Sequence, residues 1–399
     1  INEGLVSDIE ISGNEKIRDY VIAREFGRQK GKVFNWKNIA QAIRNVYATQ
    51  LFERVTVDIV ETKPTYRLIV RVKEKSIMVM RLGGKYDTDR KAQIYLEFGD
   101  ESLLGLGVKA MFVGRFGNRD GKLGFKLRDD RIFTTYLTFD LQGYYTWQIN
   151  PIKNPDGSSG SYREERRGAR FQVGQQLKRL GQFIVELRHE NVKDMVQEGS
   201  FAYPQNIELR TFAVRAVADK RDRIDFPTRG INNYWAWESG NKLVLGSTEP
   251  YTKIFVNLEG YYTFKNRATW HIRTFFGVAD RSLPFSENFR LGGLHEFYGL
   301  YENEYFGRQL FLLSGEYRIN LPLKEFISNN IIFRNFYLST RYDFGGIWPD
   351  PQLVFSSKDF FSGIGTALEV DTVLGPLKFA VGHLTSGRTI GYVSLGLHY

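Results

Sequence analysis

From residue 77 onward, apolar and polar residues take turns along this chain. Leu123, Phe125 and Leu127 alternate with Lys122, Gly124, Lys126 and Arg128, and Leu137, Phe139 and Leu141 with Thr138, Asp140 and Gln142. Ile254, Val256, Leu258, Tyr262 and Phe264 share one face, with Asn257, Glu259, Thr263 and Lys265 on the other. Leu313, Tyr317 and Ile319 oppose Ser314, Glu316, Arg318 and Asn320. A period of two, sustained over about 320 residues without a helical stretch longer than a turn or two, confines this part of the chain to β-structure. The polar face carries full charges, which a sandwich core could not bury unpaired but a watery lumen accepts. Several runs exceed about ten residues, the length a tilted strand needs to cross a bilayer. The pattern therefore predicts an all-β transmembrane barrel.

Composition agrees where it bears on the choice. Mean hydropathy is −0.34 and no stretch of 18 apolar residues occurs, which excludes a helical membrane protein. The 22 Tyr and 31 Phe suit the aromatic girdles of a barrel. The net charge of +10 is spread by alternation along strands and does not cluster with a groove-reading motif, so no nucleic-acid partner is expected. Cys is absent, compatible with an oxidising compartment without disulfides. The chain opens on Ile1 with no visible signal peptide, and a processed or truncated polypeptide is expected.

Sixteen antiparallel strands are predicted, beginning near residues 77, 91, 107, 120, 133, 165, 181, 205, 231, 251, 267, 308, 333, 359, 375 and 389. The longest connections, 147–164, 192–204, 243–250, 281–307 and 348–358, all follow odd-numbered strands, and so fall on one side of the membrane. The opposite connections are short, except 219–230 and 321–332. Gly391 and Gly396 in the last strand predict weaker pairing where it meets the first.

Residues 1–75 read differently, as a small α+β domain. Val6 to Ile11 forms a strand, Gly13-Asn14 a turn, and Ile17, Tyr20, Val21, Arg24 and Glu25 follow at helical spacing. A second helix places Ile39, Ile43, Val46 and Tyr47 on one face. Val55, Val57 and Ile59, then Leu68, Val70 and Val72, make two closing strands. The segments "IEISGNEKI", "NVYATQLFERV" and "LIVRVKEK" resemble a POTRA domain, with Gln50 or Leu51 where the family usually has Gly. The resemblance implies a periplasmic domain, which makes the long-loop side extracellular.

Two barrel segments extend the resemblance. "DKRDRIDFPTRG" (219–230) is similar to a periplasmic hairpin of the POTRA-plus-barrel outer-membrane superfamily that includes BamA, TamA and two-partner secretion transporters, with Asp222, Pro227 and Gly230 matching. "GIGTALEVDTVLGPLKFAVGH" (363–383) resembles the penultimate hairpin, and the aromatic Tyr399 the usual ending. The resemblance implies that the 281–307 loop enters the lumen. Its motif residues match Phe297, Tyr298, Gly299 and Leu300, after Gly292 and Gly293, with Tyr298 standing where relatives carry an Arg. Asp343 of "YDFGGIW" matches the partner of that Arg, so Tyr298 is expected to offer a hydroxyl hydrogen bond and Arg290, Arg318 or Arg341 to neutralise Asp343. A plain reading of the same segment is a disordered surface loop, against which its apolar content argues.

No chemistry of an enzyme is legible. Gly157-Ser158-Ser159-Gly160 lacks nucleophile-elbow spacing, Gly105-Leu106-Gly107 is a turn before a strand, and the five His are scattered. No catalytic residue, metal or cofactor is expected. One POTRA and a Leu-Gly-Gly-x5-Gly loop without Arg resemble the barrel half of patatin-like autotransporters, which implies a translocator for a lipase passenger fused ahead of Ile1. The alternative is an assembly factor or a two-partner secretion transporter with a separate client. Outer-membrane lipid and a passenger protein are the expected partners, and a homodimer is compatible with the sequence.

Overall fold

The N-terminal domain is built from β1 (Leu5–Ser12), α1 (Asp19–Phe26), α2 (Trp36–Ala48), β2 (Phe52–Thr62) and β3 (Thr65–Glu74). The computed structural model describes residues 4–396, apart from 28, 63, 134, 154–157, 178–180, 266, 324–331, 352–355 and 357–359. Strand β3 lies between β1, to which it runs parallel, and β2, to which it runs antiparallel. The apolar stripe of each helix closes on this sheet, burying Val21, Ile22, Phe26, Ile39, Ala42 and Val46 against Leu68, Val70 and Val72. Asn35 caps α2, its side chain accepting from the Lys37 N–H at 2.9 Å. Of Gln50 and Leu51, Gln50 is the one with positive φ, at +62°. A side chain in that left-handed region costs on the order of 1 kcal/mol.

Arg24 and Glu25 lie on the predicted helix but are buried. Residues Ile1–Arg81 form one unit with Glu97–Val113 and Phe125–Gln142. Inside that unit the Arg24 guanidinium donates to the Arg131 carbonyl at 2.7 Å, and Arg131 pairs with Glu25. Burial pushes the Glu25 carboxyl up, against the pull of Arg131 and Arg24.

The barrel opens with β4 (Met78–Asp87), β5 (Lys91–Leu103), β6 (Val108–Gly117), β7 (Asp120–Asp129) and β8 (Leu137–Lys153). Then come β9 (Ser159–Gln176), β10 (Gln182–Gly199), β11 (Asn206–Asp219), β12 (Arg229–Gly240), the one-turn α3 (Lys242–Leu245), β13 (Tyr251–Phe264) and β14 (Ala268–Ala279). After a loop containing the short pair β15 (Phe289–Leu291) and β16 (Tyr305–Gly307), the wall resumes with β17 (Gln309–Leu321) and β18 (Phe333–Trp348). It ends with β19 (Phe361–Thr372), β20 (Gly375–Leu384) and β21 (Thr389–Gly396). Sixteen strands form one closed antiparallel barrel, with β21 returning to β4.

The alternation in the sequence becomes burial alternation in the wall. Along β10, Glu186, Arg188, Glu190, Val192 and Asp194 are buried and face inward, while Leu187, His189, Asn191 and Lys193 are exposed and face outward. Two predicted loops are corrected. Residues 147–153 and 159–164 of the 147–164 segment and 192–199 of the 192–204 segment are strand, because β8 runs on to Lys153 and β9 and β10 stay paired as far as Gly160↔Gly199, past a register shift between Val196 and Glu198. Continued pairing satisfies backbone groups that a loop would leave to water. The closing ladder runs over Ser394↔Asp87, Leu395↔Tyr86 and Gly396↔Lys85 among the described residues. By contrast β17 and β18 pair from Gln309↔Trp348 to Leu321↔Phe336. Tyr399 lies outside the described residues.

Candidate functional site

The 281–307 loop is buried along most of its length. Leu283, Phe289, Leu291, Phe297 and Leu300 pack with wall residues Val192, Leu209, Tyr251, Leu310, Leu312 and Leu384. Five such side chains contribute on the order of 10 kcal/mol before the entropy of ordering the loop is subtracted. Phe285 adds an aromatic layer with Tyr162 and Phe201. That apolar surface accounts for the loop being inside, and polar anchors at two places fix where it sits.

The first anchor holds the tip. Asp343 on β18 has no exposed surface. It accepts from the Tyr298 backbone N–H at 2.9 Å, from the Ser314 hydroxyl at 2.6 Å and from Arg341 Nε at 3.1 Å. The sequence-based expectation of a Tyr298 hydroxyl bond is corrected here, because that hydroxyl has no hydrogen-bond partner among the described residues. The Arg341 guanidinium instead lies 3.9 Å from the Tyr298 ring centroid and donates to the Leu294 carbonyl at 3.0 Å. Of the three arginines considered from the sequence, Arg341 is the one that pairs with Asp343. Arg290 stacks on Phe285, and Arg318 donates to the Pro227 carbonyl. The tip is thus held by a backbone donor to Asp343 and by a cation stacked on the Tyr298 ring.

Beyond Tyr298, the Gly299 N–H donates to the Tyr392 hydroxyl at 2.9 Å, and that hydroxyl donates to the Leu300 carbonyl at 2.7 Å. Arg388 reaches the Gly299 carbonyl at 2.8 Å and both Glu304 oxygens at 2.7 Å. Close approach needs glycine on both sides. Gly299 has φ +86°, and a Cβ on Gly363 would lie 2.3 Å from the Tyr298 carbonyl oxygen. The penultimate hairpin is glycine-rich where it meets the tip. Gly292 and Gly293 stand at the other end of the turn, where Gly293 N–H donates to the Leu300 carbonyl at 3.1 Å.

The second anchor holds the stem, and no sequence motif announced it. Glu287, itself buried, accepts from Arg166 Nη1 at 2.8 Å, Arg188 Nη2 at 3.2 Å and Lys253 Nζ at 2.5 Å. These three cations come from β9, β10 and β13. Arg188 also donates to Glu238 at 2.8 Å and to the Tyr251 hydroxyl at 3.1 Å. Burial alone would raise the Glu287 carboxyl, but Arg188, Lys253 and Arg166 hold it well below the usual carboxylate range. Alternation in the sequence places the three cations inward. It cannot reveal which loop carboxylate reaches them.

The periplasmic hairpin is a third feature. Asp222 accepts from the Thr228 N–H at 2.8 Å, from the Thr228 hydroxyl and from the Arg229 N–H at 3.2 Å. Burial works against these bonds, which prevail and hold the carboxyl at about 2. Gly230 takes φ +110° beside the Lys220 carbonyl. Pro227 lines a lumen cavity of about 420 Å³ with Arg318, Arg341 and Lys378, among others. Among the described residues no hydrogen bond or ion pair joins Asp222, Pro227 or Gly230 to the loop tip. Among the described residues no cluster of three His, Cys, Asp or Glu could hold a metal ion.

A model of the Omp85 superfamily domain matches residues 102–387. The chain belongs to the Omp85 superfamily. A POTRA model described as a surface antigen variable number repeat matches residues 5–75 of this Omp85 chain. The outer membrane protein assembly factor BamA of Nitratidesulfovibrio vulgaris is 21% identical over 312 residues, 74% of this chain and 37% of the relative. This Omp85 chain therefore spans little more than a third of that curated relative's length. Among solved structures, BamA from Haemophilus ducreyi lacking POTRA domains 1–3 aligns with a TM-score of 0.81 at 15% identity, over 98% of this chain and 84% of that one. CdiB from Escherichia coli aligns at 0.67 and 14% identity, over 99% and 76%. This Omp85 barrel sits in the outer membrane, and its POTRA domain is periplasmic.

Proposed function

We propose that this chain moves polypeptide into or across the outer membrane, with the 281–307 loop as its movable plug. The observation that carries the reading is how the loop is held. Its tip and its stem are each fixed by hydrogen bonds and ion pairs to the wall, at Asp343 and at Glu287, which are reversible joints. The short ladder between β21 and β4 supports the same reading, because among the described residues it leaves less pairing to break than an interior ladder such as β17–β18. Planar-bilayer recording of the purified chain tests it. Small rare openings are expected from the wild type, and deletion of residues 295–303 should produce a large steady conductance. Equal conductance with and without the loop tip would remove the plug from the account.

The cargo follows one of two arrangements. The Leu-Gly-Gly-x5-Gly loop without Arg supports a patatin-like lipase passenger fused ahead of Ile1. A separate client is supported as well by the relative described as an assembly factor. Reading the gene upstream of Ile1 separates them: a Gly-x-Ser-x-Gly lipase domain fits the fused passenger, and further POTRA repeats fit the separate client.

A further inference from the structure

Arginines on the lipid side of a barrel need an explanation, and β8 to β11 carry a patch of them. Arg163 and Arg167 on β9, Lys193 on β10 and Arg210 on β11 belong to the outward-facing set. Arg167 pairs across the ladder with Asn191, which in turn pairs with Glu208, while Glu165 pairs with Lys193. The belt below them on the same face is apolar, with Phe171, Phe183 and Leu187 all exposed.

Height along the strands explains what this patch meets. At about 3.3 Å per residue and a tilt of about 40°, Arg167 stands about 23 Å above the periplasmic end of β9 at Gln176. By the same measure Lys193 stands about 28 Å above Gln182, and Arg210 about 23 Å above Asp219. The apolar band of an outer-membrane barrel is about 25 Å tall. The cations therefore sit at its extracellular rim, where an outward Arg costs little and where lipid headgroups lie.

The patch presents positive charge. Four permanent cations face two carboxylates, Glu165 and Glu208. The Arg167 side chain is 72% exposed while Glu165, its neighbour at 3.7 Å, is 12% exposed, so the carboxylate lies beneath and the guanidinium meets the bilayer. Lys193 has no ion-pair partner among the described residues. Aromatic rings set the guanidinium planes: Arg163 lies 4.6 Å from the Trp147 ring centroid and Arg167 5.4 Å from that of Tyr145. Glu165 also holds Arg163, at 2.9 Å. A pre-oriented guanidinium donates two parallel hydrogen bonds to a phosphate, and a nearby ammonium adds a point charge.

We infer that the outer face of β8–β11 binds the phosphate of an anionic lipid headgroup in the extracellular leaflet. Phosphate oxygens would accept from Arg167 and Lys193, the acyl chains would lie over Phe171 and Leu187, and Trp147 and Tyr145 would flank the headgroup. The inference concerns the barrel exterior and is independent of what the lumen conducts.

The test is native mass spectrometry of the full chain in detergent with purified diphosphoryl lipid A, comparing wild type with Arg167→Gln/Lys193→Gln. The wild type should retain lipid A, and the variant should bind at least about tenfold more weakly, as expected for lost hydrogen bonds to a charged group. Lipid A stripped of phosphate should bind as weakly to the wild type as intact lipid A does to the variant. Equal retention by wild type and variant, equal retention of the dephosphorylated lipid, or displacement by an equal concentration of inorganic phosphate would overturn the assignment. If the double variant fails to fold, a photo-crosslinking residue at Asn191 in an otherwise unaltered chain should capture lipid A in cells, and absence of that adduct would overturn it equally.

Discussion

Asp343 and Tyr298 hold the loop tip through a backbone donor and a stacked cation, not through the tyrosine hydroxyl. The carboxylate has no exposed surface and takes three donors, only one of them charged. Removing one partner of a buried pair costs about 3–5 kcal/mol, so Asp343→Asn should free the tip and raise the open probability of the channel, read in planar bilayers. Because the Tyr298 hydroxyl has no hydrogen-bond partner among the described residues, Tyr298→Phe should leave the closed state intact. Tyr298→Ala, which removes the ring under Arg341, should open it by about 3–5 kcal/mol. A Phe variant as leaky as the Ala variant would restore a role for the hydroxyl. Glu296 supplies a pH dependence. Burial is the main cause that raises its carboxyl to about 7 and Glu302 adds to it, against Arg273, a Gly292 N–H and Arg341. One of its oxygens has no hydrogen-bond partner among the described residues. The seated loop therefore prefers the neutral acid, whereas a loop released to water titrates near 4.5. This contribution to seating is full below pH 4.5 and is lost as pH rises through about 7. Protease cleavage within 295–303 should rise from pH 5 to pH 8, and Glu296→Gln should flatten that rise.

Among elements, the loop and the seam differ from the rest of the wall in what holds them. Interior ladders such as β17–β18 are long, and their backbone bonds open only with the sheet. The β21–β4 ladder is short among the described residues, so amide exchange of Tyr86 and Leu395 should be faster than that of Leu313 and Phe344. Uniform protection around the barrel would remove the weak seam. The loop depends on side chains. Glu287→Gln leaves Arg166, Arg188 and Lys253 short of one negative charge in a buried setting, which should loosen the stem by a few kcal/mol without changing the strand content seen by circular dichroism.

At the level of the whole molecule the two anchors act on one loop, so neither alone decides whether the lumen is blocked. If tip and stem each suffice to retain the plug, Asp343→Asn and Glu287→Gln should each raise conductance modestly, and the double variant by more than their sum. Additive effects would mean that the anchors govern separate openings. This non-additivity is the expected behaviour of sites coupled through one shared element.

The sequence alone determined what depends on local periodicity. Alternation fixed sixteen strands and which side chains face the lumen, since the side-chain period of a strand is two wherever it pairs. The loop tip was placed by its resemblance to the superfamily's motif, and the left-handed backbone at Gly299 is the one local demand that motif records. The ends of β8, β9 and β10 were misplaced, because a strand continues for as long as its neighbour offers hydrogen bonds and nothing local records that. The anchors belonged to tertiary structure. Glu287 lies far along the chain from Arg166, and Asp343 from Tyr298, and only closure of the barrel brings them within hydrogen-bond reach. Which donor Asp343 would take was settled by space. With the Tyr298 ring stacked under Arg341, it is the backbone N–H that donates to Asp343.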